Sequence, residues 1–384
     1  MTAYRLFGMP GSLYTAKARS YLIKQRIDFE EAIPADPAWP AITAATGRWI
    51  IPVLQTPAGE IIQDGAAIID HVEAKGLARL SAYPETPIHR LVSLLFELFG
   101  GEGLLRPAMH YRWNFDAANL AFLKTDFVAA LMPGADDGAR DAVFGAASGR
   151  MRKAASGFGI STETIPAIEA SYLAFLDLLD AHFAHSPYLL GGRPTIGDYG
   201  LIGPLYPHLA RDPYPAMLMK QRAYHVWRWV ERMNAPGALL GGHLAAGEAL
   251  IDDDAIPPTL KALMAFIAED YLPELAAHVA FANAWIDAHP DLETGTSGLP
   301  DPMTRVIGRA SFAWRGHNLA TMVMPYRFYL LQRVQAALAE AGPAQATASA
   351  LLQATGLASL ATLRTHRPVE RVNNLEVWGA DRRR

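Results

Sequence analysis

Three short stretches near the N-terminus carry residue types that could do chemistry. Ser12 follows the turn Gly8-Met9-Pro10-Gly11, and Tyr14, Ala18, Tyr21 and Leu22 then recur at helical spacing. A serine there either caps the helix or donates its hydroxyl to an anion such as a thiolate, which the helix dipole also favours. Ile51-Pro52 interrupts the strand-like run Ile50 to Leu54, and a proline conflicts with a central strand. Two readings remain: a cis peptide that frees the Ile51 N–H and C=O for an extended peptide, or a trans proline on an edge strand. Gln63-Asp64-Gly65 lies where a strand gives way to a helix. Asp64 either caps that helix or meets a ligand ammonium, while the free N–H groups beside it suit an anion.

A second set of residues offers weaker chemistry. In Arg106–Phe115, Tyr111 and Trp113 could wall an apolar pocket and Arg112 could contact an anion; the other reading is a helix end with core aromatics. The similar cluster Phe312–His317 reads as core. His182 and His185 are three apart, and Glu274 and His278 four apart, but neither pair has a third ligand nearby, so no metal site is expected. No phosphate loop, nucleophile elbow or dinucleotide fingerprint occurs.

The elements that must position these residues follow from periodicity. Tyr4–Phe7 and Phe29–Ile33 read as strands, with a helix between them. Ile50–Gln55 and Glu60–Gln63 flank Thr56-Pro57-Ala58-Gly59, a hairpin turn, and Gly65–Lys75 carries Ile68, Ile69 and Val72 on one helical face. From Pro87 onward the strand signal disappears. Leu91–Leu98, Asn119–Leu131, Ile165–Phe183, Thr195–Leu209 and Met217–Met233 read as helices. Pro258–Ala288 and Thr304–Ala341 read as two further long helical stretches, and Ala344–Leu360 is helix-prone. Ala135–Ser161 reads as a Gly/Ala-rich loop, and Ala235–Asp254 as a boundary.

Composition narrows the classes. With 38 acidic and 34 basic residues the chain lacks the basic excess of a nucleic-acid binder. The basic tail, Arg364, Arg367, Arg371 and Arg382–Arg384, reads as a solvated terminus, the alternative being an anion-binding arm. The absence of cysteine excludes disulfides, thiolate catalysis and Cys-ligated zinc. With no signal-peptide pattern and no run of about 18 apolar residues, no membrane partner is expected and a cytoplasmic location is the default.

Taken together, Leu6–Thr15, Lys17-Ala18-Arg19, Ile51–Leu54 and Gln63–Asp70 resemble the thioredoxin-like domain of the glutathione transferase superfamily. Ser12-Leu13-Tyr14-Thr15 looks like a CxxC site with both cysteines replaced by hydroxyls. Further on, Tyr188–Gly192 and Pro194–Tyr199 look like the family's helical domain, with Thr195 and Asp198 as a capping box that serves folding. The resemblance spans roughly residues 3–235 and leaves Pro258–Arg384 unexplained.

The resemblance implies an α/β thioredoxin-like domain over 1–80, an all-helical substrate domain over 87–245 and a helical extension over 255–384, mostly α overall. It implies a detoxification-type transferase with glutathione as co-substrate and a small hydrophobic electrophile as partner. Ser12, or Tyr14, would donate to the thiolate, and Ile51 beside Pro52 would pair with the cysteinyl backbone. Gln63, Asp64 and the Gly65 N–H would hold the γ-glutamyl end, and Tyr111, Arg112 and Trp113 would line the electrophile pocket. Gly65 stands where the family has Ser or Thr. The lost hydrogen bond to a charged group is worth about 1.5–3 kcal/mol, so glutathione should bind weakly. Thiol transfer and dehydroascorbate reduction are not expected without cysteine. A glutathione-dependent lyase, isomerase or ether-cleaving enzyme fits equally, and a non-catalytic binding protein is the alternative. Homodimerisation is expected by resemblance alone.

Overall fold

The computed structural model describes residues 3–237, 243, 247–301 and 303–383. The proposed boundary at Ala235–Asp254 lies partly outside them.

The N-terminal part runs β1 (Tyr4–Phe7), α1 (Leu13–Gln25), β2 (Phe29–Ala32), α2 (Trp39–Thr46), β3 (Val53–Gln55), β4 (Ile61–Gln63) and α3 (Gly65–Ala74). The sheet order is β2-β1-β3-β4. β1 and β2 pair in parallel, whereas β3 is antiparallel to both β1 and β4. The β3–β4 turn closes through Thr56 N–H on Glu60 O at 2.9 Å, with Gly59 at φ 88°. α1 and α3 pack on this sheet through Ala18, Tyr21, Leu22, Ile68, Ile69 and Val72, all fully buried.

The helical part comprises α4 (Pro87–Leu98), α5 (Leu105–Trp113), α6 (Asp116–Leu131), α7 (Asp137–Ala155), α8 (Ile165–Phe183), α9 (Ile196–Leu205), α10 (Pro213–Arg222) and α11 (Tyr224–Met233). α7 occupies most of the stretch expected to be a loop. Asp136 caps it, accepting the Ala139 N–H at 2.9 Å, and its alanines favour helix. Asp198 accepts from the Leu189 and Thr195 N–H groups and from Trp229 Nε1, at 2.9–3.1 Å. It therefore ties α9 to the preceding loop and to α11. Gly100 and Gly200 let the end of α4 touch α9, since a Cβ on Gly100 would lie 2.4 Å from the Gly200 carbonyl carbon.

The remaining chain forms α12 (Pro258–Asp270), α13 (Leu272–Asp287), β5 (Gly308–Trp314), β6 (His317–Val323), α14 (Tyr326–Ala339), α15 (Gln345–Ala354), β7 (Val369–Val372) and β8 (Leu375–Trp378). The expectation that strands end before Pro87 is corrected by two hairpins. β5 and β6 meet at Arg315-Gly316, with φ 47° and 81°; β7 and β8 meet at Asn373-Asn374, with φ 49° and 66°. Positive φ at both central residues is the geometry that matches strand twist. Residues along β5 and β6 alternate between core and solvent, with Phe312, Trp314, Leu319 and Val323 inward.

This extension wraps the first two parts rather than trailing from them. Leu330, Leu331 and Val334 of α14 are 1–2% exposed, and Arg333 reaches Asp70 of α3 at 2.9 Å. Asp254 caps α4 from outside, accepting the Ile88 and His89 N–H groups at 2.7 and 2.8 Å. Of the basic tail, Arg364, Arg382 and Arg383 are exposed as expected and Arg384 lies outside the described residues, but Arg367 is buried and Arg371 is held in an internal ion pair. Among the described residues, no helix is long and apolar enough to cross a membrane.

Candidate functional site

Strand register brings the three N-terminal stretches to one end of the sheet. Phe7 pairs with Val53, and Val53 pairs with Gln63. The turn after Phe7, the peptide before Val53 and the corner after Gln63 are therefore neighbours.

Ser12 is half-buried at the N-cap of α1, with its Oγ accepting from Thr15 N at 3.3 Å. An oxygen used as acceptor leaves its O–H free to donate. Thr15 is fully buried and its hydroxyl has no partner, so of the two hydroxyls at the ends of the Ser12–Thr15 motif that of Ser12 is the one open to a ligand. The turn is tightly packed: a Cβ on Gly8 would lie 2.2 Å from Thr15 Cγ2.

The Ile51-Pro52 bond is cis. Among the described residues, neither the N–H nor the C=O of Ile51 is hydrogen-bonded, although Pro52 O accepts the Asp64 N–H at 3.1 Å. Asp64 has φ 98° and caps α3, its Oδ1 accepting from Ala66 and Ala67 N–H at 2.9 and 3.1 Å. Burial opposes its charge, but Arg371, Lys17 and the Tyr326 hydroxyl outweigh that and hold its carboxyl below the usual range. Gly65 opens α3 against α1; a Cβ there would lie 3.1 Å from Lys17 Cδ and 3.4 Å from the Tyr14 carbonyl oxygen.

Tyr14 faces a group of charges. Burial and Glu102 push its phenol up, against Arg305 and Arg327. It stays protonated and can serve as a donor but not as a base. Glu102 sits in a single π-turn, Phe99–Gly103, between α4 and α5. Its partner Arg327 also donates to Glu274 Oε1 at 3.1 Å and to His278 Nδ1 at 2.6 Å. Burial and Arg327 together press His278 down to about 2, so it is a neutral link to Thr321 at 2.7 Å. Glu274 and His278 are thus committed to an internal network. His182 is also internal, bonded to Thr259 and to the Leu189 carbonyl.

Tyr111, Arg112 and Trp113 are 2–3% exposed. Tyr111 packs among Phe115, Tyr172 and Tyr214. Arg112 meets an anion of the protein itself, Asp212, through Nε at 2.7 Å and Nη2 at 2.9 Å. It also donates to Gly11 O at 2.8 Å and so fixes the turn that carries Ser12.

Sequence reasoning missed what stands over this corner. The β7–β8 hairpin lies against the outer edge of β4. Arg371 Nη2 donates to Gln63 O and Oε1 at 3.1 and 2.6 Å, while Asn374 Oδ1 accepts the Gln63 N–H at 3.2 Å. The Asn373-Asn374 dipeptide, two residues that tolerate positive φ between the β-prone segments Val369–Val372 and Leu375–Trp378, was the available clue.

A fold of this kind, with one hydroxyl at the first helix and a cis-proline opposite it, is that of a thioredoxin-like domain joined to a helical domain. The glutathione S-transferase N-terminal domain family matches residues 6–76, and the C-terminal domain family matches residues 162–232. Over these two segments the chain thus matches both domains of glutathione transferases. Similar solved structures include glutathione transferase GSTFuA3 from Phanerochaete chrysosporium, at 15% identity and TM-score 0.44, covering 61% of this chain and 97% of that one. Beta-etherase LigF from Sphingobium sp. strain SYK-6 is 15% identical with TM-score 0.41, covering 63% and 98%. A glutathione S-transferase from Methylobacterium radiotolerans, in complex with glutathione sulfonate, is 19% identical with TM-score 0.37, covering 67% and 100%. No curated protein matches the chain.

Proposed function

We propose that the protein is a glutathione-dependent transferase that conjugates or cleaves small hydrophobic electrophiles in the cytoplasm. The observation that carries this is the meeting of Ser12, the cis Ile51-Pro52 peptide and the Asp64-Gly65 corner at one end of the sheet. Glutathione would lie extended across that end. The unpaired Ile51 N–H and C=O would pair with the cysteinyl backbone, and the Ser12 hydroxyl would donate to the sulfur. The N-terminus of α1 adds its positive dipole end, so the thiolate is favoured near neutral pH. Attack on a bound electrophile then needs positioning and little further chemistry. Tyr14, protonated, is a second donor. The γ-glutamyl carboxylate would meet the Gly65 N–H, with Gln63 and Asp64 beside its ammonium. Because Tyr111, Arg112 and Trp113 are enclosed, they would shape the electrophile pocket from behind. A homodimer would have to leave the face of α4 that α14 covers.

One observation favours a second reading, a binding protein without turnover. Arg371 already stands against Gln63 and Asp64, where the ligand ammonium would go. Calorimetric titration with glutathione tests the proposal. Binding in the micromolar to low-millimolar range supports it, and no heat at several millimolar favours the second reading.

A further inference from the structure

Three arginines from distant parts of the chain converge on one carboxylate. Glu376 lies 3.4 Å from Arg48 Nη2, 3.5 Å from Arg305 Nε and 2.5 Å from Arg371 Nη1. Arg371 also favours the charged form of Asp64, which lies beyond ion-pair contact. Two carboxylates therefore answer three guanidinium groups, and one positive charge is unmatched. The nearby Glu102 and Glu274 do not change this balance, since Arg327 and Arg106 pair with them.

The unmatched charge is at Arg48 and Arg305. Arg371 is fully used by Glu376 and Gln63. Arg48, 5% exposed, also donates to Asn374 O at 2.9 Å, but its Nε is buried without a partner. Arg305 makes no hydrogen bond among the described residues, and its Nε too is buried and unpartnered. Burying such donors unpaired is costly, so an arrangement that keeps two of them side by side calls for an acceptor.

Both arginines line one cavity between the end of α2, Ser297, Leu299 and Thr304 of the segment before β5, and β8. Ser297 and Thr304 bring hydroxyls to its wall, and among the described residues Glu376 is its only lining carboxylate. Thr304 is exposed and gives the cavity a route to solvent. We propose that this cavity is an oxyanion site, which takes the carboxylate or phosphate group of a small molecule between Arg48 and Arg305. A planar guanidinium pair with two hydroxyls matches the several acceptor lone pairs of either group. Ser12, Ile51 and Asp64 do not line it, so the proposal stands whether or not glutathione binds.

The test is thermal unfolding of the full chain in rising sodium phosphate or sodium acetate, balanced with sodium chloride to constant ionic strength. A ligand that binds only the folded state raises Tm in a saturable way. The expected result is a saturable rise with one of the two anions, which names the group the site prefers. In Arg305→Ala the apparent affinity should fall about ten- to hundredfold, the value of a hydrogen bond to a charged group. Arg305 makes only a long contact with Glu376, at 3.5 Å, and lies over the Tyr326 ring at 5.9 Å, so this variant should keep the parent far-UV circular dichroism and a Tm in chloride close to the parent's. No saturable rise with either anion, or an equal rise in Arg305→Ala, would overturn the proposal. Should that variant misfold, Thr304→Val replaces it, with the same two readings.

Discussion

Arg371 and Gln63, 308 positions apart, meet through two hydrogen bonds from one guanidinium nitrogen, at 3.1 Å to the backbone oxygen and 2.6 Å to the side-chain oxygen. The last hairpin of the chain thereby reaches the corner where a γ-glutamyl ammonium is expected. A cation already in place competes with that ammonium for Asp64. Removing it in Arg371→Ala should tighten glutathione binding by about tenfold, on the order of 1.4 kcal/mol, measured by calorimetry. Weaker or unchanged binding would mean that Arg371 does not oppose the ligand.

Gly65→Ser restores a hydroxyl at the start of α3. Gly65 has no positive φ, and the nearest atom to the new Cβ would be Lys17 Cδ at 3.1 Å, so the buried Lys17 stem, tied to Glu97 at 2.5 Å, must give slightly to admit it. The added hydrogen bond to the ligand carboxylate should tighten glutathione about ten- to hundredfold. Equal dissociation constants for parent and variant would show that the carboxylate does not lie there.

Arg112 is a strut beneath Ser12. Arg112→Ala leaves Asp212 buried and unpaired and frees the Gly11 carbonyl. Breaking a buried pair from one side costs about 3–5 kcal/mol, so the midpoint of urea unfolding should fall accordingly. A loss below about 1 kcal/mol would contradict the internal role.

His182 gives a pH dependence of known sign. Burial pushes its imidazole down to about 4 from 6.5, while the unfolded chain keeps the ordinary value. Between those values the unfolded state binds more protons, so stability is fully present at pH 7 and is lost as pH falls through about 6.5 towards 4. The loss is on the order of 3 kcal/mol. In His182→Asn, urea unfolding should depend less on pH across that window. An unchanged slope would assign the dependence to other groups.

Much of this was legible in the sequence, for reasons that are local. Gly8 to Ser12, Ile51-Pro52 and the Gln63-Asp64-Gly65 corner each announce themselves through turn, proline or cap chemistry, and the Thr195–Asp198 capping box is local as well. What escaped depends on contacts between distant positions. The inward alternation of Phe312, Trp314, Leu319 and Val323 is hidden in the sequence because aromatic and aliphatic residues also satisfy a helical reading over short windows. Arg112 reads as an anion contact in sequence, but only packing reveals that the anion is Asp212. Arg371 reads as part of a solvated basic tail, because nothing within its own segment signals that Gln63 and Glu376 enclose it. α7 reads as a loop because its glycines obscure a capped, alanine-rich helix.

The most direct measurement is the ionisation of glutathione bound to the protein, followed by thiolate difference absorbance against pH in the parent and in Ser12→Ala. The account predicts bound thiolate near neutral pH in the parent. In Ser12→Ala the same glutathione should bind with its thiol titrating at least one unit higher, a loss of about 1.4 kcal/mol of thiolate stabilisation, and turnover should fall with it. Identical titration curves for the two proteins would contradict the role of Ser12, and bound glutathione that keeps its free-solution thiol pKa in the parent would contradict thiolate activation altogether.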